Sequence, residues 1–172
     1  WSSQSTIHWF LFHHWFDTVL WITGEKAAEV YAKEHRGVLE GLGYATNDFV
    51  QALVTYESGA FCTFETGWID PPGWKGPGVR TDLVFTNARS SVMQPGRPEV
   101  EIGFHTAPEG LRSGSQYAYI QVQPVKDFVD AVLEDHEPAV TPEEGLEAVA
   151  MIVAVDRSIE AGKPIRISSV LA

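Results

Sequence analysis

The sequence is poor in cysteine and in basic residues, and both shortages exclude classes of protein. Cys62 is the only cysteine among 172 residues, so one chain can form neither an internal disulfide nor a cysteine-based zinc cluster. Twelve Lys and Arg stand against 23 Asp and Glu, which gives a formal net charge of −11 at pH 7. A chain with so few cations gains little from a phosphate backbone or an anionic lipid surface. We therefore expect neither a nucleic-acid partner nor a membrane partner.

A long uninterrupted hydrophobic run is also missing. The richest apolar stretch, residues 7–22, is interrupted by histidines, an aspartate and a threonine, whereas a membrane-spanning helix needs about 20 predominantly apolar residues. The amino-terminal residues lack the basic segment and the small-residue cleavage site of a signal peptide. We therefore expect a cytoplasmic protein. Because the sequence starts at Trp1 and not at a Met, we also expect it to be part of a longer chain.

The sequence contains no recognisable nucleotide-binding motif. It has no Walker A sequence, and its closest approach to a glycine-rich loop lies in the proline-containing segment 70–78. A dinucleotide-binding loop needs its glycines between a strand and a helix, so that the helix N-terminus faces the pyrophosphate. This chain therefore has no evident means of its own to hold a nucleotide.

The order of the predicted elements indicates an α+β fold. Residues 6–23 predict a helix, with Ser5 as its N-cap and Gly24 at its end. This helix is apolar around almost its whole circumference, so we expect it to be covered on more than one side. A capping box from Thr141 to Glu144 predicts the start of a second long helix that ends near Gly162. Further strands are predicted at 27–34, 48–56, 60–69, 80–86, 89–93, 99–105, 117–122 and 164–167, and an amphipathic helix at 125–133.

Polar residues are concentrated on the first helix. His14, Asp17 and Trp21 are spaced i, i+3 and i+7 and therefore share one helix face. Their pattern, H-x-x-D-x-x-x-W-x-x-G, resembles the C-terminal domain of the glucose–fructose oxidoreductase/inositol dehydrogenase (Gfo/Idh/MocA) family. Three further segments are similar to the family's in the same order. They are Asp48 with the strand pair that ends in Gly67-Trp68, the helix 128–132, and the closing Glu144-Gly145-Leu146, Ser158 and Gly162-Lys163-Pro164 pattern.

The resemblance implies an open, mostly antiparallel sheet with helices packed on one face and the free face available for dimerisation. It implies a single domain over residues 1–172, preceded in the family by a Rossmann domain that this chain lacks and that binds NAD or NADP. The active site would lie between the two domains, which would also explain the apolar circumference of the first helix. The implied function is substrate binding and oligomerisation in an NAD(P)-dependent oxidoreductase that acts on a sugar, cyclitol or related polyol.

The family's catalytic histidine corresponds to His14. Its imidazole could accept a hydroxyl proton while hydride leaves for the nicotinamide. The alternative for His14 is a core histidine satisfied by a backbone carbonyl. His13 and Asp17 are candidate substrate-binding residues, or else a pair that stabilises the helix at i, i+4 spacing.

Two tryptophans and one arginine complete the predicted site. Trp68 and Trp74 could stack on the face of a sugar ring, although Trp68 could equally belong to the core. Arg80, beside the segment that holds Trp74, is a candidate substrate contact whose alternative is a solvated surface side chain. We predict no metal site.

Phe10 departs from the family pattern. Family members usually carry an aspartate at this position, one helical turn before the histidine, where it orients the ring. The departure favours an alternative function, a non-catalytic dimerisation or ligand-sensing module. Non-redox sugar chemistry through a transient ketone is a further alternative.

Overall fold

A computed structural model of the chain describes residues 5–69, 79–94, 99–104 and 123–172. These residues form two compact units, the first from 5–69 with 137–172 and the second from the described residues between them. The predicted strand 117–122 and the loop 70–78 lie outside the described residues. In chain order the elements are α1 (Ile7–Thr23), β1 (Ala27–His35), α2 (Val38–Gly41), β2 (Phe49–Tyr56), β3 (Phe61–Gly67), β4 (Val79–Val84), β5 (Ala88–Gln94), β6 (Glu99–Phe104), α3 (Gln123–Glu134), α4 (Pro142–Ala161), β7 (Ile165–Arg166) and α5 (Ser168–Leu171).

The first unit is an open four-stranded sheet in the order β3-β2-β1-β7, with every neighbouring pair antiparallel. The helices α1 and α4 pack on one face of this sheet and share its core. This confirms the predicted α+β fold and the hairpin of β2 and β3. The four-residue helices α2 and α5 were not predicted, because a single turn leaves no periodicity in the sequence.

Helix α1 begins and ends at residues that satisfy simple backbone rules. Thr6, with extended backbone at φ −113° and ψ 160°, is the N-cap, so the expected N-cap at Ser5 is wrong by one residue. Gly24 adopts a left-handed conformation at φ 66°, and its N–H donates to the Leu20 carbonyl oxygen at 2.8 Å. Glycine adopts this conformation without the steric cost that a Cβ would add.

One side of α1 is in the core and the other is open. Phe16 meets Phe64 of β3 edge to face, with ring centroids 4.7 Å apart, a favourable aromatic geometry. On the opposite side Phe10 is 52 % and Trp21 81 % exposed. The second cover expected for this helix is therefore not supplied by the described residues of the first unit. The buried residues of α1 are Ile7, His8, Phe12, Phe16 and Val19.

Helix α4 is fixed at its start and near its end by hydrogen bonds that the sequence signals. Thr141 Oγ1 accepts from the Glu144 N–H, and the Thr141 N–H donates to the Glu144 carboxylate at 2.7 Å, which confirms the capping box. Buried Ser158 accepts from Ala32 N–H of β1 at 2.9 Å and donates to the Lys163 carbonyl oxygen at 2.8 Å. Ser158 thus joins α4 to β1 and to the segment that leads into β7.

The sheet face opposite the helices is mixed in polarity. In β2, alternate residues are buried against the helices, and those between them point to the free face. Leu53 and Phe49 are each 38 % exposed there, and Phe61 at the start of β3 is 74 % exposed. The register places Tyr31 opposite Leu53 on the same face.

The second unit contains an antiparallel sheet in the order β4-β5-β6 and helix α3. The Phe85 N–H donates to the Ala88 carbonyl oxygen at 2.8 Å and closes the turn between β4 and β5, which confirms the second predicted hairpin. Helix α3 confirms the predicted amphipathic helix; Ala131 is buried, whereas Phe128 is 62 % and Leu133 77 % exposed.

Candidate functional site

His14 lies on the open side of α1, among aromatic side chains. Its ring is exposed, so His14 is not a core histidine. Partial burial and, to a smaller extent, the neighbouring His13 lower the pKa of the His14 imidazole below its ordinary value, while the Asp17 carboxylate acts in the opposite direction. The neutral imidazole therefore predominates at neutral pH and has a ring nitrogen able to accept a proton.

His13 lies against His14. The two ring centroids are 4.0 Å apart, with an angle of 46° between the ring planes. The Nδ1 atom of His13 is 3.2 Å from the backbone carbonyl oxygen of Trp9, one turn back. Because a carbonyl oxygen can only accept, Nδ1 is the nitrogen that carries the proton in this hydrogen bond. His13 is half-buried, and this hydrogen bond orients its ring.

Phe10 and Trp68 form an aromatic contact one turn before His14. Their ring centroids are 5.5 Å apart, and the indole also packs against the edge of the core. The backbone N–H of Trp68 donates to the Asp48 carbonyl oxygen at 3.0 Å, which fixes the chain at the end of β3. The preceding residue is glycine for a steric reason, since a Cβ on Gly67 would lie 3.1 Å from that oxygen and 3.1 Å from Phe49. The Trp68 side chain thus contacts both the edge of the core and Phe10 on the open side of α1.

A buried polar network holds the first turn of α1, and sequence analysis missed it. His8 is 1 % exposed, and its Nε2 donates to Asp156 Oδ1 at 2.7 Å. The Trp9 indole N–H donates to the other oxygen of the same carboxylate at 2.6 Å. Asn47 accepts from the Ile7 N–H at 3.1 Å through its oxygen, so its amide nitrogen donates to His8 Nδ1 at 3.3 Å. The network joins α1 to α4 and to the segment before β2.

The charge of Asp156 follows from this network. Burial alone would raise the pKa of the Asp156 carboxyl, but the hydrogen bonds from His8 and Trp9 lower it below its ordinary value. Asp48 is arranged similarly: burial opposes its ionisation, yet hydrogen bonds from the Leu39 and Val38 N–H groups and the His35 ring lower the pKa of its carboxyl. Both carboxylates make hydrogen bonds that stabilise the fold around the site.

A cavity of about 310 Å³ lies beside the carboxyl-terminal half of α1 in the first unit. Asp17 and Trp21, which share a helix face with His14, contribute to its lining, and His14 does not. Four of its lining side chains are acidic and one is basic, but among the described residues no three His, Cys, Asp or Glu side chains converge on a metal position. The remaining lining residues are Leu20, Gly24, Glu25, Lys26, Ala139, Val140, Glu144 and Glu147.

Two predicted site residues lie outside the described part of the first unit, which carries His14. Trp74 lies outside the described residues. Arg80 is in strand β4 of the second unit, opposite Met93 of β5. Their predicted contact with a substrate stays a prediction. The residues that the structure does bring together are His13, His14 and Asp17 on α1 and, through Phe10, Trp68.

The fold and the open face of α1 define a class, the α+β domain built on an open antiparallel sheet. A profile of the GFO/IDH/MocA C-terminal domain matches residues 2–91, more than half of the chain. The chain belongs to the GFO/IDH/MocA family as a C-terminal domain. No curated protein matches the chain at a significant level.

Solved oxidoreductases of three bacteria share the fold. An oxidoreductase from Agrobacterium radiobacter in complex with NAD+, L-tartaric acid and magnesium matches with a TM-score of 0.69 and 18 % identity, over 92 % of this chain and 48 % of its own. Aldose-aldose oxidoreductase from Caulobacter crescentus, complexed with glycerol, matches with a TM-score of 0.71 and 15 % identity, over 90 % of this chain and 45 % of its own. UDP-N-acetylglucosamine 3-dehydrogenase from Acidithiobacillus ferrooxidans matches with a TM-score of 0.68 and 18 % identity, over 88 % of this chain and 46 % of its own. The chain spans about half the length of these structures.

Among the helices that the structure describes, none combines the length and the apolar character needed to cross a bilayer.

Proposed function

We propose that the chain is the substrate-binding and oligomerisation domain of an NAD(P)-dependent oxidoreductase that acts on a sugar, cyclitol or related polyol, and that His14 is its acid/base. The observation that carries this proposal is the exposure of a neutral imidazole on the one side of α1 that the first unit leaves open. A histidine that served only the core would be buried and hydrogen-bonded, as His8 is.

The proposed chemistry is the oxidation of a secondary alcohol. The hydroxyl proton passes to the unprotonated ring nitrogen of His14 as the C–H bond breaks, and a ketone forms; the reverse direction returns the proton from His14 to the carbonyl oxygen. Trp68 and Phe10 offer an apolar surface one turn away for the C–H face of a ring, with Trp74 and Arg80 as further candidate contacts. His13 and Asp17 are the candidate polar contacts.

NAD or NADP would supply the hydride acceptor, held mainly by a Rossmann domain that precedes this domain. The residues present here do not fit a dinucleotide by themselves, because the described part of the chain contains no strand, glycine-rich turn and helix in that order. The proposal therefore assigns to this chain the proton and the substrate, and leaves the nucleotide to the other domain.

The substrate class is supported by what related structures hold. The cavity beside Asp17 gives no such support, because His14 does not line it. The Agrobacterium oxidoreductase holds L-tartaric acid and the Caulobacter enzyme glycerol, both polyhydroxy compounds. These names support a polyol and do not select one.

Titration calorimetry of the full-length protein with NAD+ and NADP+ tests the proposal. We expect saturable binding of one nucleotide, followed by polyol-dependent reduction in an absorbance assay. His14→Asn should retain nucleotide binding and lose at least about 100-fold in turnover, the usual contribution of a general base. Absence of affinity for either nucleotide would instead favour the alternative function, a non-catalytic dimerisation or ligand-sensing module, which Phe10 supports.

We also propose that the free face of the first sheet joins two copies of the protein in the cytoplasm. Phe49, Leu53 and Phe61 give this face an apolar component, with polar residues between them. Light scattering after size-exclusion chromatography should show a dimer, and Leu53→Lys should shift it to the monomer. A wild-type monomer at all accessible concentrations would contradict this interface.

A further inference from the structure

The second imidazole on the open face of α1, that of His13, is placed to do more than contact a substrate. His13 is half-buried, its Nδ1 is directed to the carbonyl oxygen of Trp9, and its ring lies against that of His14. A side chain held in this way is not free to follow a ligand. It is, however, well placed to act on the ring beside it.

We propose that His13 is a positioning residue that acts through His14: held by the Trp9 carbonyl, it presents a second imidazole to the candidate base and favours the neutral, proton-accepting form of that ring. The proposal rests on the proposed function only in naming His14 as the base. The interaction between the two rings can be measured whether or not the protein turns over a substrate.

The geometry gives the physical reason. Two imidazoles with centroids 4.0 Å apart cannot both be protonated without repulsion between like charges. Because the hydrogen bond to Trp9 orients the His13 ring, a rotation of His13 that relieved the repulsion would break this bond. The direction of the pKa change at His14 agrees, since burial and then His13 lower the pKa of that ring.

Among the described residues of the first unit, few charged groups lie near the pair. Asp17, on the same helix, attracts a proton to His14 and opposes His13. Helix α4 presents Asp156 to α1, but that carboxylate is bound by His8 and Trp9 in the first turn. The carboxylates of α4 nearest the far end of α1 are Glu144, hydrogen-bonded to Thr141, and Glu147; both line the cavity beside Asp17.

Strand β3, which also packs on α1, presents apolar side chains to it: Phe64 contacts Phe12 and Phe16. Glu65 of the same strand hydrogen-bonds Gln51 of β2 and is exposed. The protonation of His14 is therefore set chiefly by its partial burial and by the two groups of opposite effect on its own helix, His13 and Asp17.

The test is a histidine titration of the intact chain followed by NMR, with each ring resolved by long-range proton–nitrogen correlation. We expect His13 to carry its proton on Nδ1 near neutral pH. His13→Gln should shift the His14 midpoint upward, and the matched variant Asp17→Asn should shift it downward. His13→Asn, which can still donate to the Trp9 carbonyl, should give the same upward shift as His13→Gln if removal of the second titrating ring is the cause.

Each outcome of this titration either supports or overturns the proposed role of His13. An unchanged or lowered His14 midpoint in both His13 variants, or a His13 proton on Nε2, would overturn the proposal. Opposite shifts in the His13 and Asp17 variants would support it, even if the full-length protein binds no nucleotide. A nucleotide-binding enzyme in which the His13 variants leave the pH profile of kcat/KM unchanged would retain the proposed function and refute the role of His13.

Discussion

Helix α1 carries histidine in its first turn and in the turns that follow. Only the first-turn residue, His8, has a buried ring with hydrogen bonds at both nitrogens. His8 is 1 % exposed and both of its ring nitrogens are in hydrogen bonds, to Asp156 and Asn47. His14, fewer than two turns further along, is exposed and lies against His13. A buried polar group is costly unless all of its hydrogen bonds are made, which explains why both nitrogens of His8 are bonded, whereas no described residue hydrogen-bonds the ring nitrogens of His14.

Matched alanine substitutions at the two histidines should break this contrast most clearly. His8→Ala removes a fully buried ring and takes one hydrogen bond each from Asp156 and Asn47, so we expect a loss of about 3 kcal/mol in the free energy of unfolding. His14→Ala should change it by less than about 0.5 kcal/mol, as exposed substitutions usually do. Urea denaturation followed by circular dichroism measures both, and equal losses in the two variants would contradict the assignment of His8 as structural.

The same contrast extends to serine. Ser158→Ala leaves the buried Ala32 N–H and Lys163 carbonyl groups without their hydrogen bonds, for which we expect a loss of about 2 kcal/mol. Ser169→Ala is the matched control, because Ser169 is exposed and its hydroxyl donates only to the nearby Arg166 carbonyl oxygen, while its backbone carbonyl keeps the bond from Arg157. It should cost less than about 0.5 kcal/mol. Thermal unfolding of the two variants side by side would show the difference, and a Ser158 variant as stable as the control would mean that water replaces both bonds.

The network around His8 should also make stability fall at acid pH. The folded-state pKa of Asp156 lies below its ordinary value, so its contribution is present above the ordinary aspartate range and is lost as the pH falls through the lowered pKa. The Asp156→Asn variant should therefore be less stable than the wild type at neutral pH. Its free energy of unfolding should also fall less steeply below about pH 5, the range in which aspartate titrates. Urea midpoints at a series of pH values test this, and parallel curves for the two proteins would exclude Asp156 as a source of acid sensitivity.

Features that depend on a few adjacent residues can be predicted from the sequence, whereas contacts between residues far apart in the chain cannot. The capping box at Thr141, the glycine at the end of α1 and the two hairpins each depend on a few adjacent residues, and all were found. Asp156 and His8 are 148 positions apart, and nothing in the periodicity of α1 or α4 pairs them. The role of Asn47 in this network could not be predicted either, because an asparagine before a strand usually indicates only a turn.

The candidate site was found through resemblance more than through pattern. Periodicity placed His14, Asp17 and Trp21 on one face of a helix, and the structure has that helix. It could not distinguish an exposed face from one in the core, because the residues around His14 are almost all apolar. The expected second cover of α1 depends on surfaces other than the described residues of the first unit, which sequence periodicity cannot identify.

Phe10 offers the smallest and most specific way to sharpen the contrast between the two histidines. An aspartate at this position would lie one turn before His14 on the same helix, and its charge would favour protonation of the ring. We expect Phe10→Asp to shift the NMR midpoint of His14 upward and Phe10→Asn, the uncharged control, to leave it near the wild-type value. Both variants lose the contact with Trp68, so the difference between them isolates the charge. If the midpoint moves equally in both, the aromatic contact and not the missing carboxylate controls His14, and Phe10 holds the ring's surroundings through packing.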